Sequence, residues 1–510
     1  MAVNATHPEY DASLPAWLRA RDVLDGEDAV KAAGQKYLPR LGEQSDEEYA
    51  AYRVRASFFN ASARTADGYL GLLFRRPPFV KGPEGGSALA TAMDAFVNDA
   101  DMLGTSLPNY AKNVAKEVVA VGRAGTLIDW EDVNEQRVYA SLYTAETIIN
   151  WRVERFQGRN LLTLVVLREQ VEVRDDEDEF DTRTEEQLRV LRLVPSPSPL
   201  NLNPTHNPNL NLNPNLNLGS QLSCVVDLWR RKPSTTNHQP STKPEWVLLE
   251  SRMPLRLGKP LPLLPFVFHG PRNFLPAVDK LPLADVISVN LDHYRLDADY
   301  KHGMHFTALP TAWVSGFDKG AALRIGASTA WVTETPGASA GFLEYTGQGL
   351  TTFERAMDRD ERLMAILGAR LLEMQKRVGE AAEAIELKQS GENSVLASLG
   401  MSVGMSLTQV MRWAYWWNST ETWPDDVTKE QVSIELNSDF STKGLSAPEI
   451  TAVVQAWQNG ALSRDSMMEL FRRGEVLPEG RTNEEEVRLV KVGAPELPAQ
   501  ASEGVQTAVS

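Results

Sequence analysis

Cysteine and basic residues are both scarce in this chain of 510 residues. Its single cysteine, Cys224, excludes an intramolecular disulfide and a zinc site built from several cysteines, and fits a reducing cytoplasm. The 52 lysines and arginines are outnumbered by 68 aspartates and glutamates, which gives a formal net charge of −16. Tight binding to nucleic acid needs a basic surface. The balance therefore argues against a protein that grips nucleic acid, although not against one that lets DNA slide past.

Long apolar runs are also missing. The richest, residues 261–268, is short and contains Pro265, whereas a membrane-spanning helix needs about 20 apolar residues. The first residues, MAVNATHPEYDASLPAW, have neither the basic nor the apolar region of a signal peptide. We therefore expect a protein that does not span a membrane and carries no standard secretion signal.

The usual catalytic and metal-binding motifs are absent from the sequence. It has neither the phosphate-binding motif G-x-x-x-x-G-K-[ST] nor the zinc motif H-E-x-x-H. His302 and His305 can in principle bind a metal, and the acidic run 175–181 can bind calcium. The run lacks the EF-hand spacing and its glycine, so we interpret it as a solvated hairpin tip. No cofactor and no metal site are predicted.

One apparent catalytic motif is G-x-S-x-G at Gly400, Ser402 and Gly404. In a serine hydrolase this motif follows a buried strand and precedes a helix, and the histidine comes after the serine in the chain. Residues 395–399 are a poor strand, and all seven histidines precede Ser402. A serine hydrolase is therefore only a remote alternative, and the chain is not expected to be an enzyme.

The N-terminal part of the sequence predicts helices. Ser45 and Glu48 form a capping box that opens a helix to about Phe74, before Pro77 and Pro78. Further helical patterns cover residues 88–98 and 110–121, where Gly122 ends the second. Residues 124–130 then resemble a strand.

Residues 138–268 change to a strand-rich pattern. Segments rich in β-branched and aromatic residues predict strands at 161–167, 188–194, 224–229 and 246–250. Residues 195–220 are a low-complexity repeat of Asn-Pro and Asn-Leu, which cannot build a core. We interpret this repeat as a mobile excursion between two strands of one sheet, not as a domain boundary.

Two long helices around a small insert are the most informative pattern. Apolar residues at helical spacing predict helices from Leu283 to Gly303 and from 350 to 378. Between them, segments 311–314, 330–333 and 342–345 resemble short strands. The residues KQSGENS at 388–394 predict a polar loop, and a helix follows at 395–417. Its first half is rich in glycine and serine, which requires close packing to offset the cost of glycine in a helix.

The remaining sequence predicts a strand at 432–436, a helix from the capping box Ser446/Glu449 to about Trp457, and a short helix after Ser463. Residues 481–510 are predicted to be a disordered tail. Together these patterns predict an α+β fold that is mainly helical. Two long helices flanking a compact insert suit a subunit that packs beside copies of itself.

Several motifs in order along the chain resemble those of the portal proteins of tailed bacteriophages, in particular a portal-like family of uncharacterised-domain type. The motifs are RVRASFFN at 53–60, YLGLLFRRPP at 69–78, VGRAGTLID at 121–129, AETIINWR at 145–152, LPFV at 264–267, LGARLL at 367–372, LSAPEI at 445–450 and NGALS at 459–463. The resemblance spans about residues 5–480, and the Asn-Pro repeat departs from it.

The resemblance implies a ring, usually of twelve subunits, at one vertex of a viral capsid. A separate terminase motor pumps double-stranded DNA through such a ring, and the DNA is later ejected through it. The implied regions are a wing (1–280), a two-helix stem (281–304 and 350–378), a small α/β clip (305–349), a tunnel loop (379–394) and a wing or crown return (395–480). The implied location is the virion, and the host cytoplasm during assembly.

The implied partners are further copies of the chain, the terminase motor, a head-tail adaptor, capsid and scaffold proteins, and DNA bound without sequence preference. The tunnel-loop residues are Lys388, Gln389, Ser390, Gly391, Glu392 and Asn393. The predicted subunit seam on the stem consists of Tyr294, Arg295, Asp299, Arg355, Asp358, Arg359 and Arg362. Two alternatives stay open for these groups: the charged run 354–362 as a solvated helix face, and Lys388 as a solvated surface lysine. Another ring or connector component of the virion is the alternative function, although such proteins are usually much shorter.

Overall fold

The computed structural model describes residues 3–131, 134–174, 182–195, 222–231, 246–307, 311–317, 331, 334–343, 349–369, 382–421, 423–428, 430–437, 447–473, 476–477 and 483–493. The chain divides into two compact units, Met1–Ser438 and Asp439–Ser510. The boundary falls inside the segment 395–480, which was predicted to be one return segment.

The described part of the first unit contains the following helices. They are α1 (Pro8–Asp25), α2 (Glu27–Ala32), α3 (Asp46–Arg55), α4 (Ala61–Leu73), α5 (Ala88–Asn98), α6 (Leu107–Val121), α7 (Ala284–Thr307), α8 (Leu350–Met364) and α9 (Ala382–Asn418). A π-helical turn, Ala365–Ala369, continues α8.

The described part of this unit also contains antiparallel strands. They are β1 (Phe79–Lys81), β2 (Ala124–Glu131), β3 (Arg137–Thr144), β4 (Ile148–Phe156), β5 (Arg159–Arg174), β6 (Thr182–Pro195), β7 (Leu222–Arg231), β8 (Trp246–Arg252), β9 (Leu255–Arg256), β10 (Lys259–Pro260), β11 (Phe266–His269), β12 (Thr311–Ser315), β13 (Ser339–Leu343) and β14 (Ser433–Glu435). Helices and strands occupy largely separate stretches of sequence, so the fold is α+β, as predicted.

The strand-rich region forms a five-stranded meander in the order β4-β5-β6-β7-β8. Pro195 at the end of β6 pairs with Leu222 at the start of β7. The Asn-Pro repeat therefore connects two neighbouring strands of one sheet, as predicted. The acidic run 175–181 lies outside the described residues, between the paired ends Arg174 and Thr182 of β5 and β6.

The prediction of one helix from Ser45 to Phe74 was wrong. The capping box at Ser45 and Glu48 is present, but the chain leaves the helix at Ala56 and α4 begins after Asn60, whose side chain caps it. The backbone N–H of Ser57 donates to Asp297 at 2.7 Å, and the carbonyl of Phe59 accepts from Asn290 at 2.7 Å. These long-range bonds to α7 stabilise the break and fix α7 against α3 and α4.

The core of the first unit lies around α6 and α9. Val114, Val118 and Val121 of α6 are fully buried, and Gly122 ends α6 in the left-handed conformation that glycine favours. The tryptophans of α9 are buried, and Trp417 stacks on Trp130 of β2 with ring centroids 5.8 Å apart.

Glycine lets α9 approach its neighbours closely. A Cβ added to Gly404 would lie 3.3 Å from the carbonyl oxygen of Ile434 in β14, and one added to Gly400 would lie 2.9 Å from Leu73. The predicted close packing of this helix is therefore confirmed. Strand β14 in turn pairs with β1, so this contact ties the residues after α9 to the N-terminal half of the unit.

Arg123 positions the segment that leads into α7. Its guanidinium is buried over the rings of Trp151 and Phe268, 4.2 and 4.5 Å from their centroids, and it donates to the carbonyl of Pro276 at 2.7 Å. Burial lowers the pKa of Arg123 to about 9. The aromatic faces and the carbonyl partly replace the water that this cation loses.

The regular structure in the described part of the second unit is helical. Its helices are α10 (Ala447–Gln458), α11 (Arg464–Arg473) and α12 (Asn483–Gly493). The prediction of a disordered tail over 481–510 was wrong for α12, whose three glutamates in the first turn complement the helix dipole. Residues 494–510 lie outside the described residues.

Candidate subunit-interface site on the paired helices

The two helices predicted to form the stem, α7 and α8, pack against each other in antiparallel register. Tyr300 donates its hydroxyl hydrogen to Glu354 at 2.7 Å, and His293 Nε2 lies 3.5 Å from Glu361. Two turns further along, a Cβ added to Gly368 would lie 3.2 Å from Val286. Each step of seven residues back along α7 is matched by seven residues forward along α8 and its π turn.

This repeat of seven is the spacing of a coiled-coil contact. The contact residues are His293, Tyr300 and Val286 on α7, and Glu354, Glu361 and Gly368 on α8. They were not predicted from the sequence, although the seven-residue spacing of Glu354 and Glu361 was the signal that carried this information. The pair is therefore registered over four turns.

The π turn that continues α8 also packs on α4. A Cβ added to Gly368 would collide with the side chain of Thr65 in α4. A larger side chain at this position would push the turn away from α4. The end of the helix pair that contains Val286 and Gly368 thus packs closely on α4 because residue 368 has no side chain.

Charges of opposite sign lie in two rows on α8. Glu354, Asp358 and Glu361 form an acidic row, and each is followed one residue later by an arginine. The arginine row consists of Arg355, Arg359 and Arg362. One residue turns a helix by about 100°, so the arginine row lies further round the helix from α7 than the acidic row does.

Exposure agrees with this placement. The side chains of Arg359 and Arg362 are 73% and 76% exposed, and Arg355 is exposed as well. Within the helix, Arg359 lies 3.5 Å from Asp360 and Arg362 lies 3.9 Å from Asp358. Ion pairs this exposed contribute about 0–1 kcal/mol, so the arginines are available to a partner.

The predicted seam residues on α8 thus share an exposed face, but those on α7 do not join them. Tyr294 is fully buried against Phe58, with ring centroids 5.8 Å apart. Asp299 accepts a hydrogen bond from Tyr52 at 2.5 Å. These two residues hold α7 to α3 and its following segment in the same chain. Tyr294 is therefore not exposed for a subunit contact, whereas the assignment of the half-buried Asp299 to the seam stays a prediction.

Arg295, the remaining predicted residue of α7, is half-buried. It donates through Nε to the carbonyl of Tyr37 at 2.9 Å and through Nη1 to Asp292 at 2.6 Å. Asp292 itself is 57% exposed and was not predicted. The solvent face of α7 therefore presents Asp292, held in place by Arg295.

The insert between the helices forms a hairpin of β12 and β13. The predicted strand at 311–314 is confirmed; the one at 342–345 is observed as β13 up to Leu343, and Trp331 of the third segment is not in a strand. Trp313 lies against Gly341, where an added Cβ would be 3.0 Å from Nε1. Trp313 and Phe342 remain 44% and 54% exposed. The end of α7 was also misplaced, because the helix continues past Gly303, whose small size admits Leu350.

The predicted tunnel loop has a different backbone. Residues 382–394 belong to α9, so the prediction of a loop over 379–394 was wrong for them; 379–381 lie outside the described residues. Neither the polar residues nor Gly391 interrupts the helix, because a helix that continues into a packed segment is stabilised by that packing. The positions Lys388, Gln389, Ser390, Gly391, Glu392 and Asn393 lie on this helical backbone.

The remaining predicted sites have structural partners. Ser402 lies inside α9, is 3% exposed and donates to the carbonyl of Gly270 at 2.8 Å, which is not the strand-turn-helix setting of a nucleophile elbow. His302 lies beside Arg55, 3.5 Å from Nη2. Within the described ranges, no group of three or more histidine, cysteine or carboxylate side chains is arranged to hold a metal. In that same part of the chain, no helix combines the length and apolar character needed to cross a membrane.

A chain of buried hydrogen bonds crosses the core beside α9. Tyr110 Oη lies 2.9 Å from Thr126 Oγ1, which lies 2.7 Å from His269 Nε2. His269 Nδ1 lies 2.7 Å from Ser406 Oγ, and Ser406 donates to the carbonyl of Val403 at 2.8 Å. Burial lowers the pKa of His269 to about 3, so the imidazole is neutral near pH 7.

The helix pair, its insert and α9 coincide with a family match. Residues 282–418 match the family described as "Domain of unknown function (DUF4055)". The chain is similar to one in the virion of a native gene transfer agent particle, with 9% identity, a TM-score of 0.37, and coverage of 87% of this chain and 98% of that chain. It is also similar to one in the neck of an empty gene transfer agent particle, computed with C6 symmetry, with 11% identity, a TM-score of 0.36, and coverage of 88% and 98%. No curated protein matches.

Proposed function

We propose that this chain is the portal subunit of a tailed-phage-type virion, and that copies of it form a ring through which DNA is packaged and ejected. The observation that carries the proposal is the registered antiparallel pair of α7 and α8 with a strand hairpin inserted between the helices. This is the arrangement that the portal resemblance implies for a stem and its clip.

The outer surface of α8 supports assembly. Beyond the charged rows, Leu363, Ile366 and Leu367 are 39%, 54% and 40% exposed. They lie on successive turns of one helix, so they form a contiguous apolar strip next to the arginines. Exposed apolar strips of this kind mark protein interfaces. A neighbouring copy packed beside α8 would remove this strip from water.

The insert hairpin supports a docking role. A two-stranded hairpin is only marginally stable in water on its own, and this one leaves Trp313 and Phe342 exposed. Large aromatic side chains are enriched at protein interfaces. We assign this hairpin to contacts with neighbouring copies and with the terminase motor and head-tail adaptor.

Residues 388–393 remain the proposed channel-facing segment. With a net charge of −16 per chain, a ring of twelve copies would be strongly acidic, which would discourage DNA from sticking to its walls. One lysine per copy, Lys388, would then touch phosphates without holding them.

The role proposed is structural, without catalysis. Ser402 is the serine of the one apparent catalytic motif, and its buried hydroxyl is already bonded to the carbonyl of Gly270. Ester hydrolysis by the purified protein that disappears in Ser402→Ala would contradict this role.

The proposal is tested on the purified full-length chain. Size-exclusion chromatography with multi-angle light scattering should give a mass near twelve subunits, and negative-stain microscopy should show rings with a central channel. A monomer that stays monomeric at high concentration would contradict the proposal. A ring with a number of subunits other than twelve would support the proposed ring and correct its stoichiometry.

A further inference from the structure

A closed ring of more than two identical subunits needs two different, complementary surfaces on each subunit. The paired helices offer such surfaces: α8 presents an arginine row to solvent, and α7 presents Asp292. This inference rests on the proposed ring, and it concerns which residues meet across the contact.

The register of the helix pair determines which residues lie level with each other. His293 faces Glu361, so their chain neighbours Asp292 and Arg362 lie at nearly the same height along the pair, within about one residue rise of 1.5 Å. Rotation about a ring axis parallel to the helices does not shift residues along that axis. Arg362 of one copy and Asp292 of the next copy therefore come to the same height.

The other two arginines have less suitable counterparts. Arg355 lies level with Asp299, which already accepts from Tyr52. Arg359 lies level with Arg295, which carries the same charge. Arg359 is also already paired with Asp360 in its own helix. Arg362 is the most exposed of the ion-paired arginines of α8, and its bond to Asp358 is long at 3.9 Å.

Asp292 is prepared to accept a second cation. Arg295 binds its Oδ1 at 2.6 Å, and Arg295 is in turn held by the carbonyl of Tyr37. This holds the carboxylate in one orientation on the solvent face of α7. A carboxylate has several acceptor sites and can accept from two guanidinium groups at once.

We infer that Arg362 of each copy binds Asp292 of the next copy, and that this charge pair helps to select the side-by-side arrangement of the helix pairs. The partner is a second copy of this chain. The contact adds specificity more than affinity, because mismatched charges at such a position repel.

The test uses Arg362→Asp and Asp292→Arg, with Arg231→Asp, at an exposed arginine at the end of β7, as the matched control. Each of the first two variants alone places like charges across every contact. We expect each to elute mainly as free subunits under conditions in which the wild type and the control form rings. The double variant, with the charges exchanged, should recover rings.

Mixing the two single variants gives a sharper result. In an alternating ring, the aspartate introduced at position 362 of one variant meets the arginine introduced at position 292 of the other. At the next contact the native Arg362 meets the native Asp292, so opposite charges face each other throughout. We expect rings that contain the two variants in equal numbers, measured by native mass spectrometry. Recovery on mixing also shows that both variants fold.

Several outcomes would overturn the inference. Rings formed by both single variants as readily as by the wild type would show that these residues do not meet. Loss of rings that neither mixing nor the double variant recovers would show that the residues act within one copy. Failure of the wild type itself to form rings would instead overturn the proposed function, and the inference with it.

Discussion

At the scale of single residues, His269 shows how a polar group is accommodated in the core. Ser406 gives its hydroxyl hydrogen to Val403, so it accepts from His269 Nδ1–H. Neutral Nε2 must then accept from Thr126, which in turn accepts from Tyr110. The direction of every bond is thus determined, and the chain of bonds joins α6, β2, β11 and α9.

This chain of bonds requires a neutral imidazole, which makes stability depend on pH. The pKa of His269 is lowered to about 3 in the folded state, against about 6.5 in the unfolded chain. The contribution of the neutral imidazole to the unfolding free energy is therefore complete above pH 6.5 and is lost as the pH falls toward 3. When the pH is lowered from 7 to 5, the unfolding free energy of the wild type should fall more steeply than that of His269→Asn. The difference in slope should be up to about 1.4 kcal/mol per pH unit.

The measurement is chemical denaturation at both pH values, in which only the change with pH is compared. His305→Asn, at an exposed position on α7, is the matched control and should keep the wild-type dependence. If the unfolding free energy of His269→Asn changed with pH as it does in the wild type, the buried imidazole would not be the cause of the loss of stability in acid.

At the scale of elements, α9 depends on the small residues that face β14. In α9 the missing side chain of Gly404 leaves space for the backbone of β14, whose nearest oxygen would lie 3.3 Å from an added Cβ. The helix accepts the cost of glycine because a bulkier residue would separate it from this strand. The buried tryptophans further along the helix then fit against β2.

Gly404→Val should therefore destabilise the protein by about 1–3 kcal/mol, since its methyl groups would press on backbone that cannot rotate away. Gly71→Ala in α4 is the control, because an added Cβ there meets no atom within 4 Å. It should stabilise by about 0.5–1 kcal/mol through helix propensity. Denaturant titration of both variants measures the change in unfolding free energy, which should fall in Gly404→Val and rise in Gly71→Ala. An unchanged unfolding free energy in Gly404→Val would contradict the packing argument.

At the scale of the whole molecule, the proposed function places assembly and DNA passage in different parts of the chain. In that proposal the registered pair of α7 and α8 would serve ring formation, whereas the N-terminal part of α9 would serve the channel. These roles are separable by mutation if the proposal is correct.

Deletion of residues 388–393 should leave ring formation unchanged and reduce DNA packaging or genome retention. The reason is that the proposed channel segment is removed while the helix pair is retained. Deletion of six residues from the Asn-Pro repeat, 205–210, is the matched control and should affect neither. The measurements are ring yield by microscopy and protected DNA per particle; normal packaging after the first deletion would remove the channel role.

The sequence was sufficient to predict the parts of the fold that local signals determine. The capping box at Ser45, glycine at 122 and the apolar spacing of α7 and α8 each located a helix or its end. The break at Ala56 was missed because it depends on Asp297 and Asn290, more than 200 residues away. Asp292 was missed for the same reason, since its role follows from the register of two helices and not from its neighbours in the chain.

The pairing of Pro195 with Leu222 has a practical consequence for engineering this molecule. Both ends of the Asn-Pro repeat meet at one place on the sheet, so a compact fusion partner with adjacent termini can replace the repeat without pulling the strands apart. The cost of a longer connection grows only by about 0.6 kcal/mol for each doubling of its length. The site is thus suited to carrying a fluorescent label or an affinity handle once in every subunit.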